Sequence, residues 1–422
     1  MNKLLPALLL STVLLGAAPA IPAQAANDAQ SPAILLDGVP LAFPVAPRII
    51  EGRTMVPFRA IAEALGVEVT WRQEDQSVDA VGPETQVRLA IGNNIMWVNG
   101  EARTLDVAPM IVEDRTLIPL RAFSTAFHAE VDWNAANYTV TIQSPVRPMR
   151  TLAFYALQSY GERHYVPRFS DVAYGWATLL PDGTLDTTTK EYRWPEPDGE
   201  VTGEVLLAEA ARAGTKRHLM VQATDRDGGL TALVLDAARR ERAAEQIAAL
   251  VQEKAFDGVV LDLEGLGLEE VGLDLQLLRM GFVQLAEAVE SRLHPAGKEV
   301  IVAAHPPNGA YRAYDYAALL PHVDLLQIMA YDYAQDGNPE PVDRVIEAIE
   351  MSLSEVGAAD LNSPLRQKLM LGMVAAYETP ETIQQKAGLA KRYGLGGIFV
   401  WRLGQLGPED MAALEATVSP LR

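Results

Sequence analysis

Two acidic side chains close an apolar run: Asp262 and Glu264 end the stretch that begins at Gly258. Alternate side chains of a β-strand share a face, so Val260, Asp262 and Glu264 point one way and Val259, Leu261 and Leu263 the other. Carboxyls held side by side raise each other's proton affinity. Glu264, at the strand end, can then stay protonated and donate to a leaving oxygen, with Asp262 one step deeper. The strand alone also admits a second reading, an acidic pair that braces lysines or arginines at a rim. Two further runs end in groups able to hold a ligand. One carries Gln327, Met329, Tyr331 and Asp332, and the other ends in Trp401.

Side chains this far apart in sequence meet only if a regular scaffold gathers them. From about residue 150, short apolar runs alternate with amphipathic stretches. The runs predict strands at 151–157, 171–177, 218–223, 258–264, 299–304, 325–331, 368–374 and 397–401. The stretches predict helices over 237–254, 275–293, 342–356, 380–393 and 408–417. Eight buried strands alternating with helices predict an α/β fold, a (β/α)8 TIM barrel over 150–422. Such barrels carry chemistry at the C-terminal ends of their strands, where Asp262, Glu264, Tyr331, Asp332 and Trp401 all fall.

Ahead of the barrel lies a duplication. The pattern R-T-x-x-P-x-R occurs at Arg53, Pro57 and Arg59 and again, 62 positions on, at Arg115, Pro119 and Arg121. The match extends back to the turn pairs Asp37-Gly38 and Asn99-Gly100 and forward to Trp71 and Trp133. A long period repeated only twice predicts a smaller N-terminal α+β domain made of a duplicated unit, over 32–144. Each unit would hold a hairpin, a short helix (57–65 or 119–127) and a strand bearing the tryptophan. Arg59 and Arg121 are read as braces of the fold, with carboxylate or glycan binding as the alternative. Residues 145–149, with Pro145 and Pro148, read as a stiff linker.

The first 25 residues have the layout of a secretory signal peptide: Lys3, an apolar stretch over 4–15, and Ala23-Gln24-Ala25 as a cleavage site. They predict a secreted bacterial protein, extracellular or cell-wall associated, with no membrane attachment after cleavage. The absence of cysteine excludes disulfides and thiolate metal sites. A net charge of −20 argues against nucleic acid and anionic membrane surfaces, whereas a neutral glycan tolerates it. The barrel's histidines show no ligand spacing, so neither a metal nor another cofactor is expected.

These residues resemble the family 18 glycoside hydrolases, the chitinase-like enzymes, over nearly all of 150–420. The family signature D-x-x-D-x-D-x-E maps onto Asp257, Val260, Asp262 and Glu264. Its Q-x-M-x-Y-D element is present as Gln327, Met329, Tyr331 and Asp332, and Trp401 fits the tryptophan that ends the eighth strand. Tyr155 on the first strand and Trp176 on the second fit the family's aromatic pattern. Val260 departs from the signature, where a carboxylate normally lies under the middle aspartate; that puts rate and pH optimum in doubt. The N-terminal repeat resembles the copper amine oxidase N-terminal-like domain, without implying copper, since His128 is the only histidine there. A structural or wall-contacting module is expected.

The resemblance implies substrate-assisted, retaining hydrolysis, in which the nucleophile is the substrate's own 2-acetamido oxygen. Glu264 would be the acid and then the base. Asp262 would orient the acetamido group, Tyr331 would hydrogen-bond it, Asp332 would support the distorted sugar and Trp401 would form its floor. Tyr155, Trp176, Asp257, Gln327 and Met329 are the other expected substrate contacts. The partner is then an N-acetylated glycan. The gap between the last two strands, 375–395, holds one helix, whereas many chitinases insert a small domain there. A shallower cleft favours peptidoglycan, as in the cell-wall and spore-cortex N-acetylglucosaminidase branch, with chitin next and N-glycans third. The alternative from another class is a lectin-like wall protein without activity, which Val260 favours and the presence of Asp262 and Glu264 opposes.

Overall fold

The computed structural model describes residues 31–333 and 337–422; the signal-peptide expectation at 1–25 lies outside the described residues. The barrel strands are β1 (Arg147–Tyr155), β2 (Asp171–Leu179), β3 (Lys216–Thr224), β4 (Gly258–Glu264), β5 (Glu299–Ala304), β6 (Leu325–Ile328), β7 (Leu369–Val374) and β8 (Gly397–Trp401). Each runs parallel to the next, and β8 pairs with β1, so the sheet closes into the expected (β/α)8 barrel. Alternation along the strands divides the apolar residues into two layers. Phe154, Met220, Val260, Ile301, Met370 and Phe399 fill the interior. Val259, Leu261, Val302 and Ile398 face outward and pack on the helices.

The five expected helices are present as Ala237–Glu253, Gly272–Leu293, Val342–Glu355, Pro380–Arg392 and Pro408–Glu415. Gly203–Arg212 and Gly229–Leu235 were not expected. The second is short and nearly all apolar, which hides helical periodicity. Strand β6 stops at Ile328 rather than 331, so Met329 to Tyr331 leave the ladder as they reach the mouth. Among the described residues no helix is long and apolar enough to cross a membrane.

The N-terminal domain is built as its duplication predicts. Strands Arg53–Pro57 and Arg115–Pro119 pair antiparallel, Val56 against Ile118, about a pseudo-twofold axis. Helices Phe58–Ala64 and Leu120–Ala126 follow, with Phe58 and Phe123 packed edge to face at 5.2 Å. The tryptophan strands are Glu68–Arg72 and Glu130–Asn134. The linker is shorter than expected. Arg147 to Met149 already belong to β1 and pair with Val418–Pro420. The junction is also pinned. The buried Asp37 carboxylate accepts from the Ser144 N–H (2.8 Å) and hydroxyl (2.6 Å) and lies 3.6 Å from Lys391 Nζ. Arg147 donates to the Lys391 carbonyl at 2.9 Å.

Candidate active site

Strand β4 delivers its carboxyls as the alternation requires. Val260 lies in the interior cluster, Asp262 is buried above it, and Glu264 is 36 % exposed at the strand end. Parallel register sets Gln222, Asp262, Ala303 and Gln327 side by side across β3 to β6. Both polar side-chain atoms of Gln327 are buried without a hydrogen-bond partner. Native folds leave few such groups unmet, and a ligand or water is the usual explanation. The strand end is held by its neighbours. The Asp225 N–H donates to the Glu264 carbonyl (2.9 Å), and Tyr314 donates its hydroxyl to the Leu263 carbonyl (2.7 Å).

The electrostatics follow from burial without a close cation. Burial and then the Asp332 charge raise Glu264 to about 7, against a weaker lowering by Arg226. Burial and the Glu264 charge push Asp262 well above the usual carboxylate range. Burial also raises Asp332, offset in part by a hydrogen bond with Tyr377. A carboxyl still substantially protonated near pH 7 at an open strand end is able to act as a general acid.

Tyr331, Asp332 and Trp401 join this pair at the mouth. The Tyr331 ring occupies space left by Gly372 on β7, where a Cβ would come within 2.7 Å of it. Asp332, four residues past the end of β6, has φ of 61°, a conformation uncommon for residues other than glycine. Trp401 packs over Phe154 at 5.3 Å. Met329 is buried in the interior cluster below Tyr331.

Three expected contacts lie elsewhere. Tyr155 and Trp176 are 1 % and 0 % exposed and pack in the outer layer with Tyr174 and Phe256. Alternation turns Phe154, not Tyr155, inward, and a register shift between Gly175 and Ala177 surrounds Trp176. Both are closed off from the barrel interior and from solvent. Asp257 precedes β4 at the opposite end of the barrel, where its carboxylate accepts from the Arg217 guanidinium (2.8 and 2.9 Å) and N–H (2.8 Å). It braces the fold.

Other residues enter the site unannounced. Tyr192, from the long loop after β2, packs against the interior cluster, and burial with the charges of Asp262 and Glu264 raises its phenol. His305, just past β5, has its Nε2 3.8 Å from Glu264 Oε2 and no hydrogen-bond partner there. Burial lowers its pKa to about 4, so the ring near the acid is neutral. Gln222 donates to the Thr224 hydroxyl at 2.7 Å, on the interior face of β3. An aromatic in a loop gives no periodic signal. Only the register places Gln222 beside Asp262.

At the other end of the barrel, one group of metal-ligand type occurs among the described residues. Asp171, His218 and Glu299 offer atoms within 4.8 Å of one another. Cations already meet them: Arg150 bridges Asp171 and Glu299, Lys216 reaches Glu299, and His218 Nε2 lies 2.9 Å from Asp171. With the carboxylate lone pairs engaged by guanidinium and ammonium, this is an ion-pair plug under the barrel.

Comparison with known proteins bears on the family and the fold. The model of the copper amine oxidase N-terminal domain matches residues 35–142. The one histidine of the domain, His128, lies 3.4 Å from Thr85 Oγ1. No curated protein matches the chain. Solved structures share the barrel fold. A chitinase from Chromobacterium violaceum is 18% identical, with a TM-score of 0.50 over 64% of this chain and 98% of its own. The C-terminal domain of a putative chitinase from Desulfitobacterium hafniense gives 18%, 0.52, 64% and 98%. The Bacillus cereus spore cortex-lytic enzyme SleL gives 19%, 0.50, 66% and 76%. The model of the glycosyl hydrolases family 18 matches residues 151–373, a span that includes Asp262, Glu264, Tyr331 and Asp332, and the chain belongs to that family of glycosidases.

Proposed function

We propose that the protein is an exported hydrolase of β-linked N-acetylglucosamine polymers, with peptidoglycan as its preferred substrate and Glu264 as its general acid and base. The observation that carries this reading is the placement of Glu264 at the barrel mouth, one step above the buried Asp262 on the same face of β4, where burial raises its carboxyl to about 7. Glu264 protonates the glycosidic oxygen while the substrate's 2-acetamido oxygen attacks the anomeric carbon, and the leaving sugar departs with the proton. Asp262 accepts from the acetamido N–H and offsets the positive charge of the oxazolinium. Tyr331 donates to the acetamido oxygen, Asp332 supports the distorted ring, and Trp401 stacks beneath it. Glu264, now ionised, takes a proton from the water that opens the oxazolinium, and configuration is retained.

Export rests on the character of residues 1–25. The preference for peptidoglycan rests on the rim, where the single helix Pro380–Arg392 connects β7 to β8 and no added domain deepens the cleft. The test is the release of reducing ends from purified peptidoglycan and from chitin oligomers by the wild type and Glu264→Gln. Release from peptidoglycan by the wild type alone supports the proposal, and release from chitin only moves the substrate to chitin. Silence of both proteins, with the polymers still bound, replaces the enzyme with a lectin.

A further inference from the structure

The repeated motif of the N-terminal domain gathers at two clefts. The first, of about 680 Å³, takes Arg59 and Trp71 from one repeat and Ile111 and Arg115 from the other. The second, of about 590 Å³, takes Arg121 and Trp133 from the second repeat and Ile49 and Arg53 from the first. Each of these residues has its counterpart 62 positions away in the other cleft. The clefts are therefore related by the pseudo-twofold that pairs Arg53–Pro57 with Arg115–Pro119.

The side chains at these clefts are available for contact. Trp71 and Trp133 are 36% and 38% exposed, and Ile111 and Ile49 are 52% and 37% exposed. Arg59, Arg121 and Arg115 are exposed too. No guanidinium of the three is engaged in a hydrogen bond or ion pair among the described residues, so the bracing expected of the Arg59 and Arg121 side chains is not seen there. Arg53 is held by Asp106 at 2.6 Å, and Asp106 and Asp114 place a carboxylate in the second and first cleft respectively.

Each cleft thus sets an exposed indole beside planar donors and a carboxylate acceptor. A pyranose ring needs that combination. Its C–H face packs on an aromatic ring, and its hydroxyls pair with guanidinium and carboxylate groups. Lining of both signs suits neutral hydroxyls better than a simple anion. We propose that the N-terminal domain is a two-site glycan-binding module, with Trp71 and Trp133 as its platforms. This does not rest on the barrel's activity. The domain docks through Asp37, Arg147 and Lys391 near the start of β1, the end of the barrel away from Glu264. The glycan it holds is therefore not the segment in the catalytic mouth. Two sites on one body gain avidity on an insoluble polymer.

The experiment is co-sedimentation of the full chain with insoluble peptidoglycan and with chitin, in a Glu264→Gln background so that the polymer persists. The parent is compared with Trp71→Ala/Trp133→Ala and, separately, Arg59→Ala/Arg121→Ala, each checked for an unchanged melting temperature. Because the barrel is the same in all arms, the difference isolates the clefts. The expected result is apparent binding about tenfold or more weaker for the tryptophan pair, with single variants between. Loss on both polymers means recognition of the shared N-acetylglucosamine units and supports the module, as does loss on peptidoglycan alone that persists on glycan strands stripped of their peptides; loss that disappears on the stripped strands means peptide recognition and overturns it. Parent-like binding by both double variants on both polymers overturns it.

Discussion

At the N-terminal end of the barrel, Asp171 meets His218 and Arg150, Glu299 meets Arg150 and Lys216, and Asp257 meets Arg217. At the C-terminal end, Asp262 and Glu264 have mainly each other and Asp332. Burial is the largest influence on all five of the first-named carboxyls, and in each case it raises the pKa. At the lower end hydrogen-bonded cations outweigh it and hold Asp171, Asp257 and Glu299 below their ordinary values. At the upper end no cation is close enough, and the second negative charge adds to the rise. The same side chains thus serve stability at one end and proton transfer at the other, and the presence of a partner decides which.

Glu264→Gln keeps the shape of the site and removes its proton. Turnover is expected to fall by about 10²- to 10⁴-fold, with the fold intact by circular dichroism. A loss under about tenfold would place the acid elsewhere.

The lower end is tested by Asp171→Ala, which strips a buried, 1 % exposed carboxylate from Arg150 and His218. The expected cost is about 3 kcal/mol in urea unfolding, moderated because Glu299 still meets Arg150. Turnover of the folded fraction should stay within about twofold. The folded pKa of Asp171 is lowered, so its stabilisation is present above the unfolded value near 4 and is lost as pH falls further. The gap between variant and wild type should therefore narrow in acid.

The opposite sign is expected for Glu264. Its folded pKa is raised to about 7, so any stabilisation is complete below the unfolded value and is lost as pH rises through 7. Glu264→Gln should be more stable than the wild type at pH 8 by about 1 kcal/mol, since solvent contact screens the rest of the effect, and equal to it below about pH 4. An advantage that grew in acid would contradict the assignment. Activity of the wild type should decline above about pH 7 as the acid ionises.

The smallest effect is expected at Tyr155, a group outside both ends. Its hydroxyl is buried in the outer layer without a hydrogen-bond partner. Tyr155→Phe should leave kcat/KM within about twofold and raise stability by up to about 1 kcal/mol, because an unsatisfied group is removed. A tenfold loss of kcat/KM would restore Tyr155 to the substrate site.

Local periodicity carried most of the fold. Alternation in Gly258–Glu264 placed Asp262 and Glu264 on the interior face, and the 62-residue offset announced the pseudo-twofold of the first domain. Two positions escape local periodicity: Trp176 sits at a register shift, and Asp257 precedes its strand and so stands at the opposite end of the barrel from Glu264. Tyr192, His305 and Gln222 gave no signal at all, because each reaches Glu264 or Asp262 from a different strand or loop.

Which segments are strands, which face of each is apolar and where the acidic groups stand along it depend on neighbours one to four residues away, and so are legible in the chain before it folds. The tertiary structure alone decided which carboxyls find a cation. Arg150 meets Glu299 across 149 positions of chain, while Glu264 meets none so closely. It also decided that the two repeats share their motif residues across two clefts. Charge pairing and desolvation act through space, so their outcome appears only when the barrel closes.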